Sequence, residues 1–257
     1  TIFSNNVLDA TKNWSLLLKN PSEVEGLPER ALETLALAAK EKGDKAEEGN
    51  DPTANSGPWR VGLDLPRYIP FQTYAKNRHL REKVYRAFVS RASDGKLNNK
   101  KIIEEILDLR NKQAKQLGYE NWCQISLATK MAENEEAIEM LLEELRLAAM
   151  PHAKKELIQL LECAKRNGEN DEFELFPWDI NFWAEVLRKE KYDLDQEKLR
   201  PWFPLDQVLN GLFNLCKRLF EIEIEEANDS APLWHKDVRF FNVKNLDGQR
   251  IASFYLD

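Results

Sequence analysis

The chain has 257 residues, of which 42% are hydrophobic and 32% charged, enough to bury a core in one large domain or two small ones. A net charge of -7 and a pI near 5.3 exclude the basic stripe that nucleic-acid backbones or anionic membrane surfaces require. No apolar run approaches the ~20 residues of a membrane-spanning helix, and the opening TIFSNNVLDAT is too mixed and polar for a signal peptide.

In chain order, the opening residues already carry a helix-like pattern. Gly43 to Pro58 is polar and rich in Gly, Pro, Asn and Ser, a long loop that is expected to be mobile or functional. Trp59 to Leu65 alternates weakly and is predicted as a strand ending at Pro66. Leu80, Val84, Tyr85, Phe88 and Val89 repeat with helical spacing. Ile103, Ile106, Leu107, Ala114 and Leu117 do the same, with Gly118 as the stop. Asn134 can cap a helix whose stripe is Ile138, Leu141, Leu142 and Leu145, with Glu135 and Glu136 at its positive end. Pro151 is expected to break or kink that helix, before a second apolar stretch from Leu157 to Ala164. Asn167 to Glu174 reads as an acidic loop. Leu205, Val208, Leu209, Leu212, Cys216 and Leu219 mark a further helix. Glu225 to Pro232 reads as a loop leading into a hairpin, Val238–Val243 and Ile251–Leu256, turned at Asn245-Leu246-Asp247-Gly248. No repeat of fixed period is present.

Zinc needs three or four Cys, His or carboxylate ligands. His79 with Glu82 and His152 with Glu156 each place two candidates on one helical face, but neither pair has an evident third, and His235 stands apart. Such pairs are commonly surface ion-pair partners. Cys123, Cys163 and Cys216 form no CxxC and suit a reducing compartment. Cys163 and Cys216 fall on apolar patterns, where thiols usually pack and do no chemistry. Nucleophile elbows and phosphate loops are absent. Sequons occur at Asn13 and Asn228, with nothing else pointing to secretion. The carboxylate runs Glu133–Glu144 and Glu221–Glu226 read as solvated faces. Trp178, Phe182, Trp183, Trp202 and Phe203 could line a groove, although their helical spacing favours core. Arg78, Arg81, Arg86 and Arg91 could hold a peptide carboxylate, or pair with acidic neighbours.

Several strings, taken together, resemble the oligopeptidase A and thimet oligopeptidase family of zinc metallopeptidases. They are FSNNVLDAT (3–11), AKNRHLREKVYRAFVSRAS (75–93), NKQAKQLGYENWCQISLATKMA (111–132), PWDINFWAEVLRKEKYDLDQEKLRPWFPLDQVLNGLFNL (177–215) and WHKDVRFFNVKNLDGQRIASFYLD (234–257). They cover nearly the whole chain in order. The resemblance implies a mainly α fold, two helical lobes about a channel, with a small β hairpin or sheet at the C-terminal end. It implies hydrolysis of short peptides by a zinc ion on an H-E-x-x-H helix with a more distant glutamate. That helix lies downstream of the family's F-Y-x-D strand, so residues 1–257 are expected to be the central segment of a longer protein. No catalytic, cofactor-binding or metal residue is therefore carried over. The expected division is 1–58 in a base lobe, 59–170 as crossover strand and distal lobe, and 171–257 returning to the base lobe. The remaining expectations are zinc in the parent and none on this segment, short peptides as partners, no nucleic acid or membrane, and a monomer. The expected compartment is the cytoplasm, with chloroplast or mitochondrion as the alternative. A non-enzymatic helical scaffold or peptide-binding module is the competing reading.

Overall fold

The structure, a computed structural model, describes residues 1–46, 49–193 and 196–257. The chain divides into two compact units, Thr1–Leu194 and Asp195–Asp257. It is mainly helical with a small antiparallel sheet at the C-terminal end, as the sequence predicts.

The first unit begins with α1 (Ile2–Asn13), β1 (Ser15–Leu18), α2 (Glu29–Glu41) and β2 (Trp59–Gly62). β1 and β2 pair antiparallel, with Leu18 opposite Trp59. Ala31, Leu35, Ala38 and Ala39 form the buried face of α2. Helical spacing aligns them, and the alanines let the helix approach β2 closely. Leu18, Leu35, Trp59, Val61, Phe71 and Val84 sit in one core. The Gly43–Pro58 stretch is well fastened where it is described. Arg60 donates to Asp44 at 2.7 and 2.8 Å, and the Trp59 indole donates to the Ala54 carbonyl at 3.0 Å. Glu47 and Glu48, also within that predicted loop, lie outside the described residues.

Next come α3 (Leu65–Tyr74) and α4 (Arg78–Val89). The strand expected to reach Leu65 ends at Gly62, because Leu65 and Pro66 open α3. The fixed φ of proline suits a helix's first turn. α5 (Lys100–Gln116) stops at Gly118, whose φ is +80°. α6 (Trp122–Leu127), α7 (Glu135–Arg166) and α8 (Pro177–Tyr192) complete the unit. Pro151 does not break α7, which runs through it unbroken over 32 residues. Residues 139–158 are exposed, so the carbonyl one turn before the proline can reach water. The missing bond costs about 3 kcal/mol without ending the helix. Burial on α7 is confined to its last turns, at Leu160, Cys163 and Ala164. These meet Phe173 and Trp183 in a second core.

The second unit holds α9 (Gln196–Leu199), α10 (Leu205–Phe220), β3 (Glu223–Glu226), β4 (Arg239–Lys244) and β5 (Arg250–Leu256). The sheet order is β3-β4-β5, antiparallel throughout. The predicted turn is present: Gly248 has φ +78°, and its N–H donates to the Asn245 carbonyl at 3.0 Å. Glu225 and Glu226, expected in a loop, belong to β3. Their partners are the cations of β4. Lys244 reaches Glu225 at 2.5 Å, and Arg239 reaches Glu226 at the same distance, diagonal pairs across adjacent strands. Phe213 of α10 meets Phe241 edge-on at 5.3 Å, and Phe241 stacks on Phe254 at 5.1 Å.

Candidate functional site

The most highly organised polar centre lies where α4 meets α8. Asp179 sits in the first turn of α8, after Pro177, and its side chain is 0% exposed. Its carboxylate accepts from Arg78 Nε at 3.0 Å and Nη2 at 2.7 Å, a two-pronged fork. Arg81 Nη2 donates to Oδ1, which it shares with Arg78 Nε, at 2.9 Å, and the Phe176 N–H donates to Oδ2 at 3.1 Å. The remaining Arg81 donors go to carbonyls: Nε to Trp178 at 3.0 Å, Nη1 to Ala75 at 2.7 Å and to Lys76 at 3.1 Å. Aromatic faces complete the enclosure, with Arg78 over Phe173 at 4.7 Å and Arg81 over Phe182 at 4.2 Å.

Burial pushes the Asp179 carboxyl up, but hydrogen bonds from Arg78, Phe176 N–H and Arg81 outweigh it and hold the group below the usual carboxylate range. The same contact raises the Arg78 guanidinium. Two cations and one anion are thus matched to one another and to backbone carbonyls. Arg78, Arg81 and Arg86 take the acidic-neighbour course that the sequence allowed, and Arg91 does not. Arg86 pairs with Glu82 at 2.7 Å, and Arg91 donates to the Phe88 carbonyl at 2.7 Å and to Thr11 Oγ1 at 3.1 Å. Asp179 itself escaped the sequence reading. The available signal was Phe176-Pro177-Trp178-Asp179, a proline opening a helix with an acid two positions on.

The other sequence candidates fall on separate parts of the surface or core. His79 is exposed, and its neighbour Glu82 is taken by Arg86. His152 and Glu156 are both exposed. His235 lies 3.5 Å from Asp237. Zinc requires at least three converging protein ligands. Among the described residues no group of three or more His, Cys, Asp or Glu is placed to hold a metal ion, so these residues do not fit that ion.

Cys163 is buried, and burial followed by the nearby Glu190 carboxylate raises its thiol pKa, the opposite of what a nucleophile needs. Glu190 also accepts from Asn167 at 2.7 Å and Arg166 at 3.0 Å, tying the end of α7 to α8. Cys216 is half-buried and Cys123 exposed. Asn228 is held by strand contacts: its amide donates to Glu226 at 2.7 Å and accepts from the Phe240 N–H at the same distance. Trp178 and Trp183 are core residues, whereas Trp202 and Phe203 are 77% and 68% exposed. An apolar groove of about 620 Å³ opens between α7 and α8, lined by Leu157, Ile158, Leu161, Leu175, Phe176, Pro177, Ile180 and Asn181. No helix among the described residues is long and apolar enough to cross a membrane.

A helical chain with a matched ionic centre and apolar faces left open has relatives among the peptidases. The sequence profile of Peptidase family M3 matches residues 71–257, more than half of the chain, and the chain belongs to that family. It is 49% identical over 255 residues to "Organellar oligopeptidase A, chloroplastic/mitochondrial" of Arabidopsis thaliana, covering 99% of this chain and 32% of that protein. The "Probable cytosolic oligopeptidase A" of the same plant is 48% identical, with 99% and 36% covered. Oligopeptidase A of Escherichia coli (strain K12) is 42% identical, again with 99% and 36% covered. The chain therefore spans about a third of the length of the curated relatives it matches.

Proposed function

We propose that this chain is the central segment of a zinc metallo-oligopeptidase that hydrolyses peptide bonds in short peptides. In that role it forms wall around the reaction centre and not the centre itself. One observation carries the reading. The chain aligns almost end to end with oligopeptidases about three times its length, while none of its three histidines has two further ligands beside it among the described residues. Zinc, which would activate a water for attack on the peptide carbonyl, is then held by residues outside this chain. The centre at Asp179 contributes position only, holding α4 against α8. The three-part division at residues 58 and 170 goes with this reading, as do a monomeric state and a cytoplasmic location.

Two measurements test it. The 257-residue chain, equilibrated with zinc and then desalted, is expected to retain less than one equivalent by elemental analysis. It should leave a fluorogenic short peptide uncut. A longer protein containing it should cleave that peptide and lose activity to a chelator. Stoichiometric zinc with chelator-sensitive cleavage by the 257-residue chain would overturn the wall role, and an inactive longer protein would overturn the peptidase reading.

A further inference from the structure

The exposed face of α10 has a period that specifies what should cover it. Leu205, Val208, Leu212, Leu215 and Leu219 follow one another at intervals of three, four, three and four residues. They are 65%, 46%, 50%, 46% and 64% exposed. This is the seam spacing of helices packed knobs-into-holes, with the partner crossing at about 20°. The seam is about 21 Å long at the rise of an α-helix. It is not the face that packs on the sheet. Leu209, Phe213 and Cys216 are the half-buried positions, and Phe213 is the one that meets Phe241.

We infer that this seam receives one α-helix from polypeptide outside residues 1–257 of the longer protein, with an acidic residue of that helix facing Arg218. This rests on the reading that the chain is part of a longer protein, and not on peptide hydrolysis. Two observations choose the occupant. The relatives supply about twice this chain's length in further polypeptide. The outer flank of the seam carries Gln207, Gly211, Asn214 and Arg218, all exposed. Gly211 has open space beside it, and Arg218 has no ion-pair partner among the described residues. Flanking charges set partner choice in such seams. A second copy of α10 would bring only neutral side chains and a like charge to this flank, whereas a helix with a glutamate or aspartate there would complete it.

The test is thiol labelling in the longer protein carrying Leu212→Cys, read peptide by peptide by mass, folded and in urea. A covered seam is expected to slow labelling at that position about tenfold or more in the folded protein, and Arg218→Glu should speed it. If Leu212→Cys does not fold, Val208→Cys reads the same seam. Labelling near the unfolded rate overturns the inference. So does protection that disappears as dilution separates dimers into monomers, since the occupant would then be a second copy. A longer protein that shields the position yet cleaves no peptide sinks the functional reading and leaves this one standing.

Discussion

Asp179 of α8 accepts a hydrogen bond from Arg81 of α4 at 2.9 Å, with the two side chains 0% and 2% exposed. The pair spans 98 residues of sequence and so closes the long excursion through α5, α6 and α7. Removing one partner of a buried pair strands the other charge, at about 3–5 kcal/mol. Asp179→Ala is expected to cost that much in urea unfolding followed by tryptophan fluorescence. Arg78→Ala should cost clearly less, because the Arg78 side chain is 40% exposed and water replaces part of what it loses. Equal losses for the two variants would contradict this ordering.

The same carboxylate sets a pH dependence. Its folded pKa lies below the ordinary value, near 3.9 for an unfolded aspartate. Between the two values the unfolded chain binds more protons, so stability rises with pH there. The contribution is present in full above about pH 5 and is lost as pH falls through the folded pKa. Asp179→Asn should therefore flatten the acid limb of stability against pH. Asp51 offers a contrast: hydrogen bonds from Lys40 and Lys45 lower its pKa to about 2, but the three side chains are about half exposed. Its share of the acid limb is expected to shrink in high salt, while that of Asp179 persists.

The contrast shows which features were legible in the sequence. Helices with a long apolar period could be read directly: α4, α5 and α10 lie where their leucines and valines place them. The cap at Asn134 could be read too, since it needs only three residues of context. β1 and β3 could not: Leu16-Leu17-Leu18 is an unbroken apolar run with no period, and β3 lies within a run of acids. Glu221-Ile222-Glu223-Ile224-Glu225 does alternate, but its acids read as a solvated carboxylate run, and it is the pairing of Glu223–Glu226 with β4, later in the chain, that makes it a strand. The ionic centre was hidden for a similar reason. Nothing near Asp179 in sequence announces partners on a helix about a hundred residues earlier.

α7 combines a good start with a poor middle, and the two should separate experimentally. The Asn134 side chain accepts from the Ala137 N–H at 2.8 Å, so Asn134→Ala should cost about 1 kcal/mol. Pro151 stands inside the helix among exposed residues. There Pro151→Ala restores a backbone donor and removes a clash, for a gain of up to about 3 kcal/mol. Urea midpoints should move in opposite directions for the two variants. A loss on Pro151→Ala would mean that the proline ring itself makes a contact that the alanine cannot replace.

Two glycines with positive φ separate backbone strain from steric exclusion. Gly118 ends α5 at φ +80° with open space beside it, whereas Gly26, at φ +91°, would put a Cβ 2.4 Å from the Tyr74 carbonyl oxygen. Both pay the left-handed penalty of about 1–2 kcal/mol when a side chain is added. Only Gly26 must also push backbone aside, and that backbone is fixed: the Lys76 N–H donates to the Glu25 carbonyl at 2.9 Å. Gly118→Ala is therefore expected to cost only that penalty, about 1–2 kcal/mol. Gly26→Ala should cost measurably more, because it separates the segment before α2 from the end of α3. Denaturant unfolding of the two variants side by side gives the answer. Equal losses would show that the Tyr74–Lys76 turn yields, and that this turn is not a fixed point of the core.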